Sequence, residues 1–177
     1  DGSLLAFGRG DSRLGDDMNI GMRMPVSRSA DMGRTWTYAA SDFPPISGGQ
    51  RLVLLRLREG PLLFVSFTDA SVSEHPEGLN FLDADGREYR GYGLFAALSF
   101  DEGATWPLKK LITRGGTDQF TGGAWTGDFT MDRTHTEPKG YMAATQSPNG
   151  TIHLISSRLH YRFNLAWLQQ PAPGSEE

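Results

Sequence analysis

The chain of 177 residues contains no cysteine, which removes disulfides, zinc-thiolate centres and thiol catalysis together and leaves the redox compartment open. It also lacks a basic excess. Seventeen Lys and Arg stand against 21 Asp and Glu, a formal net charge of −4. Nucleic-acid-binding domains gather cations to capture phosphates, so a generic polyanion binder is excluded, although a local arginine pocket is not. No run approaches the roughly 18 to 20 uninterrupted apolar residues of a membrane helix, and Asp1 opens on a turn rather than on a basic-then-apolar leader. No stretch of a dozen residues places apolar side chains at i, i+3, i+4 and i+7 between cap signals, so little helix is expected.

What is present is one ordinary domain's worth of soluble chain, 38% hydrophobic, with 22 glycines, 10 prolines and an aromatic set of 4 Trp, 5 Tyr and 10 Phe. The apolar runs are short and separated by Gly, Asp, Asn and Pro: Leu4 to Phe7, Leu52 to Leu57, Leu62 to Phe67 and Ile152 to Ile155. They read as strands in an all-β fold. Two signals recur. The first is a glycine turn opening an apolar strand, as in Asp1-Gly2-Ser3-Leu4-Leu5, Glu59-Gly60-Pro61-Leu62-Leu63 and Asn149-Gly150-Thr151-Ile152-His153. Glycine supplies the positive φ of a tight hairpin, so each turn is expected to join antiparallel strands.

The second signal is Ser-x-Asp-x-Gly-x-Thr-Trp, present as Ser29, Asp31, Gly33, Thr35 and Trp36 and again as Ser99, Asp101, Gly103, Thr105 and Trp106. Physically it describes a turn in which Asp accepts backbone N–H bonds, Gly takes the left-handed conformation, Thr bonds the loop and Trp packs outside it. This is a folding element, not a catalytic one.

These two boxes resemble the Asp-box, or bacterial-neuraminidase-repeat, proteins of the sialidase superfamily. The resemblance implies a β-propeller of four-stranded antiparallel blades, with the box between the third and fourth strands of a blade. On that pattern residues 1–168 form a partial propeller of about three blades (1–48, 49–115 and 139–168), with a C-terminal tail over 169–177. The first blade holds Leu4 to Phe7, Pro25 to Ser29 and Trp36 to Ala39. The second is complete, with Arg51 to Leu57, Leu62 to Phe67, Gly93 to Ser99 and Trp106 to Ile112. The third holds Tyr141 to Gln146, Thr151 to Ser157 and Phe163 to Leu168. Ten strands cannot close a ring of 4 to 8 blades, so the remaining blades are expected from an upstream chain segment or from self-association.

Because strands alternate in direction, the glycine turns and boxes share one face. The long connections share the other: Gly8 to Met24, Ala40 to Gln50, Thr68 to Tyr92 and Thr113 to Gly140. Long loops on one side of a rigid scaffold are where binding and chemistry concentrate. Arg9, Arg51 and Arg158 stand at strand mouths there, placed to grip a carboxylate as the sialidase arginine triad does, or else to pair locally as solvated rim residues. His135 and Glu137 lie in the segment Asp132 to Tyr141 that leads into an inner strand. His160 and Tyr161 lie in what reads as the last connection on that face. His with Tyr would make a base and acid pair; Tyr with Glu would make the nucleophile and activator that the sialidase resemblance implies. Alternatively Tyr161 caps a hairpin, and His153 is an ordinary strand histidine. Gln146 is either a hydroxyl-binding or a structural residue, Trp125 either a sugar-stacking platform or a lid anchor. Among the carboxylates Asp11, Asp16, Asp17, Asp69, Glu74, Asp83, Asp85, Asp118 and Asp128, only Asp69 follows a strand end as a glycosidase acid would. No spaced His or Cys cluster indicates a metal site. No cofactor is expected, and the abundant loop oxygens are compatible with at most a structural calcium.

The resemblance implies a secreted or periplasmic glycoside hydrolase that cleaves an acidic sugar linkage, with no nucleic-acid or membrane partner. A propeller-fold lyase acting on uronic acids, with Tyr and His as its pair, and a non-catalytic glycan-binding propeller are the rivals. The arginine-isoleucine-proline signature of sialidases does not occur in the chain.

Overall fold

The computed structural model describes residues 2–10, 20–21, 23–68 and 77–172; Asp11, Asp16, Asp17, Asp69 and Glu74 lie outside them. The chain runs β1 (Leu4–Phe7), β2 (Pro25–Ser29), β3 (Thr37–Ala40), β4 (Val53–Arg56), β5 (Leu62–Phe67), β6 (Leu79–Leu82), β7 (Glu88–Gly91), β8 (Leu94–Ser99), β9 (Leu108–Leu111), β10 (Asp118–Thr121), α1 (Gly123–Thr126), β11 (Asp128–Met131), β12 (Ala143–Gln146), β13 (Ile152–Ile155), β14 (His160–Phe163) and α2 (Leu165–Gln169). The fold is all-β, with several antiparallel sheets. Strands β1-β2-β3, β4-β5-β8-β9 and β12-β13-β14 make three sheets in sequence order, and β6-β7 and β10-β11 are separate two-stranded hairpins. No helix among the described residues is long and apolar enough to cross a membrane.

The middle sheet is the core. Every residue of β5 and β8 is buried, because apolar side chains are needed on both faces when both are covered. This explains the unbroken apolar runs Leu62 to Val65 and Leu94 to Leu98, where a half-exposed strand would alternate. Toward the first sheet, Phe64 stacks on Phe43 at 4.3 Å between centroids and meets Phe7 at 4.8 Å and Trp106 at 5.7 Å. On the far sides of the first and third sheets, by contrast, Leu4, Tyr38 and Ile155 are exposed.

Both boxes fold alike. Ser29 Oγ donates to Asp31 Oδ1 at 2.8 Å and accepts from Gly33 N at 2.8 Å, while Asp31 accepts from Thr35 N at 2.9 Å and Thr35 Oγ1 at 2.7 Å. In the second box Ser99, Asp101, Gly103 and Thr105 repeat these bonds at 2.6 to 2.8 Å. The hydrogen bonds hold both carboxyls at about 2, led by the Thr35 backbone N–H for Asp31 and by the Thr105 hydroxyl for Asp101. With the folded value depressed, the stabilisation these groups give is present above 3.8 and is lost as pH falls through about 2.

The boxes differ in what packs on them. Trp106 is 6% exposed between two sheets, and Trp36 is 47% exposed. A Cβ on Gly103 would lie 2.5 Å from Leu5 Cδ2, whereas on Gly33 the nearest atom, Leu4 Cδ1, is 3.3 Å away. Both glycines have positive φ, 78° and 85°, so alanine costs about 1–2 kcal/mol of backbone strain at either. Overpacking against Leu5 adds about 1–3 kcal/mol at Gly103 alone. Denaturant titration is therefore expected to find Gly103→Ala clearly less stable than Gly33→Ala, and equal losses would contradict this account of the sheet interface.

The third sheet departs from the sequence reading. Its last strand is His160–Phe163, and the run expected to be a strand from Phe163 to Leu168 turns into α2. Asn164 Oδ1 caps that helix by accepting from Trp167 N at 2.8 Å. Lys110 Nζ then donates to the carbonyls of Trp167 and Gln170 at 2.8 and 2.9 Å and lies over the Trp167 ring. Burial draws the Lys110 ammonium down to about 8. Residues 169–172 are thus tied down rather than frayed; Pro173 onward is outside the described residues. The long connections also carry structure, since Thr68 to Tyr92 holds β6 and β7, and Thr113 to Gly140 holds β10, α1 and β11.

Candidate active site

Among the described residues, the turns and the long connections lie at opposite ends of the sheets. At the turn end, Glu102 pairs with Arg56, and Arg28 donates to the Glu102 and Gly103 carbonyls. At the loop end, Arg9 O accepts from Ile46 N, Gln50 Nε2 donates to Pro138 O at 3.0 Å, and Arg51 N donates to Gly140 O at 3.1 Å.

One extended segment organises the loop end. Tyr92 and Leu94 bond Thr134, Thr136 and Glu137 through their backbones, so residues 134–137 run alongside the start of β8. Glu137, Lys139 and Tyr141 follow at alternate positions, and each meets a different partner.

Glu137 is fully buried and its Oε2 accepts from Tyr161 Oη at 2.7 Å. Its other oxygen, Oε1, makes no hydrogen bond of normal geometry. Burial pushes the Glu137 carboxyl upward, against the Tyr161 and Ser156 hydroxyls, which pull it down. Burial, and then the carboxylate beside it, push the Tyr161 phenol upward as well. A half-satisfied buried carboxylate that holds a phenol is an arrangement in which the carboxylate can take the phenolic proton.

Tyr141 carries Arg51 over its ring at 4.0 Å, and Arg51 Nη1 donates to Gln50 O at 2.7 Å. Lys139 lies 5.7 Å from the Trp125 ring centroid, and Trp125 meets Tyr141 edge-on at 6.4 Å. Arg158 lies against the start of α1, where a Cβ on Gly123 would be 3.5 Å from its Cδ. Arg51, Lys139 and Arg158 form no ion pair among the described residues. Arg9 is exposed at the same end.

His135 stacks on Tyr92 at 5.2 Å, and its Nδ1 is 2.9 Å from Asp132 Oδ1. Burial would raise the Asp132 carboxyl, but the His135 ring and the backbone N–H groups of Thr134 and His135 outweigh it and leave the carboxyl lowered. The carboxylate orients the imidazole, which is otherwise half in solvent.

Two expected site residues stand elsewhere. His160 is not in a connection beside a reacting Tyr161. Both are on β14, where neighbours point to opposite faces, and His160 Nε2 lies 3.1 Å from His153 Nδ1 on the sheet's outer side. Gln146 belongs to the turn end, where its Oε1 accepts from Arg58 N at 2.7 Å and its Nε2 donates to Glu59 Oε2 at 2.9 Å. It ties the middle sheet to the third. Asp69, the proposed acid, lies outside the described residues. Sequence reasoning assigned no role to Lys139, Tyr141 or Asp132, although the alternation of 137, 139 and 141 in an extended segment and the Asp-x-x-His turn were both visible.

A scan against protein-family models found no match for the chain, and neither did a search of the curated proteins.

Proposed function

We propose that this chain is part of a sialidase-like β-propeller hydrolase that cleaves a glycosidic bond to an acidic sugar. Tyr161 is the nucleophile and Glu137 the base that takes its proton, while the bond from the anomeric carbon to the departing oxygen breaks and that oxygen takes a proton from solvent water. The observation that carries this reading is the 2.7 Å hydrogen bond that Tyr161 Oη donates to a fully buried carboxylate. A phenol is a suitable nucleophile at an anomeric centre beside a carboxylate, because it approaches without a charge of its own and loses its proton only as the bond forms. Arg51, with Arg9 at the same end, supplies the guanidinium groups that a sugar carboxylate would pair with.

In this reading the three antiparallel sheets are blades. The exposed apolar side chains on the far faces of the first and third are where further blades pack, from a preceding segment of the protein or a second copy. A secreted or periplasmic location accompanies it. Lyase chemistry through a Tyr161–His160 pair has less support, because the two side chains point to opposite faces of β14.

The deciding experiment is to react the protein with slow-turnover fluoride glycosides of acidic sugars and map the products. A glycosyl mass increment on the peptide carrying Tyr161 is expected. An unsaturated sugar absorbing in the near ultraviolet would indicate a lyase instead, and binding with neither outcome would indicate a lectin.

The buried carboxylate also makes a pH-dependent stability difference. A folded-state value raised above the ordinary 4.5 means that Glu137 contributes most below 4.5 and that this contribution is lost as pH rises through the folded value. Glu137→Gln, which keeps an oxygen for Tyr161, is expected to match the native protein near pH 4 and to exceed it in stability near pH 7. Thermal melts at the two pH values check this; a variant that is less stable at pH 7 would mean that the fold does not raise the Glu137 carboxyl.

A further inference from the structure

We propose that Trp125, Lys139 and Arg158 form a second sugar subsite that takes an acidic neighbour of the sugar being released, so that the substrate is an oligosaccharide bearing carboxylate or sulfate on adjacent residues. This deepens the hydrolase reading and rests on it. Trp125 is 57% exposed, yet it sits on a fixed element. Its neighbour Thr126 is buried and donates through Oγ1 to Lys139 O at 3.0 Å, Gly127 N closes the turn onto Gly123 O at 2.8 Å, and Gly122 N closes onto Gly127 O at 2.8 Å. An indole held in place while more than half in water contributes little to the core, and holding it lowers the entropy cost of stacking a ligand on it.

The ground around it is shaped and charged. Gly49 lies against both side chains: a Cβ there would be in ordinary contact with Lys139 Cδ at 3.4 Å and with Trp125 Nε1 at 3.5 Å. Gly123, in the same helical turn, lies against Arg158, whose Cδ would be 3.5 Å from a Cβ there. Lys139 lies against the indole and Arg158 against Gly123 in the same helical turn, and neither has a carboxylate partner among the described residues. In a chain of net charge −4, two unpaired cations beside an exposed aromatic platform match a ring that has an apolar face and an anionic substituent. Lys139 stands two positions from Glu137 on the organising segment, so the subsite lies next to the reacting pair.

The test is binding, which needs no turnover. Digalacturonate, galacturonate and the neutral disaccharide galactobiose are titrated against the native protein and against Trp125→Ala and Lys139→Met, with calorimetry and tryptophan fluorescence as readouts. Digalacturonate is expected to bind at least about tenfold more tightly than either galacturonate or galactobiose, to quench indole emission in the native protein, and to lose most of that advantage in each variant. Equal affinity for the charged and neutral disaccharides, or an undiminished preference for digalacturonate in Trp125→Ala, would overturn the subsite. Loss of the Tyr161 chemistry leaves these titrations readable, so failure of the subsite and failure of the hydrolase assignment are separate results.

Discussion

Tyr161→Phe is expected to lower kcat by at least about 10³-fold while leaving affinity for an acidic sugar within a few-fold of native. The substitution removes only Oη, the atom that donates to Glu137 Oε2. Phenylalanine preserves the packing of that ring on the inner face of the third sheet, where Leu154 lies opposite on the neighbouring strand. The guanidinium groups at the loop end are untouched, so ground-state binding survives and the loss falls on the chemical step. Leaving Glu137 without the Tyr161 donor also costs about 1–3 kcal/mol of stability, since a buried carboxylate oxygen then loses its partner. Calorimetric binding, steady-state kinetics and a denaturation curve on one preparation separate the three effects. Retention of a tenth or more of native kcat would remove Tyr161 from the reaction.

Where the sequence was legible, the reason is local chemistry repeated. Ser-x-Asp-x-Gly-x-Thr-Trp closes its own hydrogen bonds within seven residues, so it folds the same way at 29–36 and 99–106 whatever surrounds it. Strands β5 and β8 were likewise visible, because burial on both faces writes an unbroken apolar run. The site was legible only as a pool. Tyr161 and Glu137 could be named as possible partners from residue type, but their meeting depends on where β14 begins. That start was obscured because Phe163 to Leu168 is apolar enough to pass for a strand. The helix there is one short turn longer than its cap, and its stability comes from Asn164 at one end and Lys110, 57 and 60 residues from its acceptors, at the other. No local pattern encodes a contact of that span. The same limit misplaced His160: with the strand start moved back to 160, side-chain alternation alone turns it away from Tyr161. Gln146 was ambiguous for another reason. It lies on the inner strand as supposed, but at the end nearer the Asn149-Gly150 turn, so its amide meets Glu59 and not the loops.

Gly93→Ala is expected to be the most damaging conservative substitution at the loop end, costing about 2–5 kcal/mol, made of roughly 1–2 for φ strain and 1–3 for the clash. Gly93 has φ +104°, and a Cβ there would lie 2.5 Å from Thr136 O and 2.8 Å from Glu137 O. These are backbone atoms, held in turn by Thr136 Oγ1 donating to Ile112 O and by Leu94 N donating to Glu137 O at 2.9 Å. A flexible side chain could swing away; this segment has to move as a unit. Its displacement would carry Glu137 with it, so a stability loss and a catalytic loss are expected together, unlike at Gly103, where the clash falls on the Leu5 side chain at the turn end and the loop end is undisturbed. A shift of the 134–137 segment by even about 1 Å breaks near-attack geometry at the phenol, which is enough for about 10²-fold in rate. Denaturation curves with kinetics on Gly93→Ala and Gly103→Ala check the distinction. If Gly93→Ala loses stability but keeps native kcat, the segment does not position Glu137 for catalysis, and the carboxylate's contact with Tyr161 is a feature of packing between the sheets.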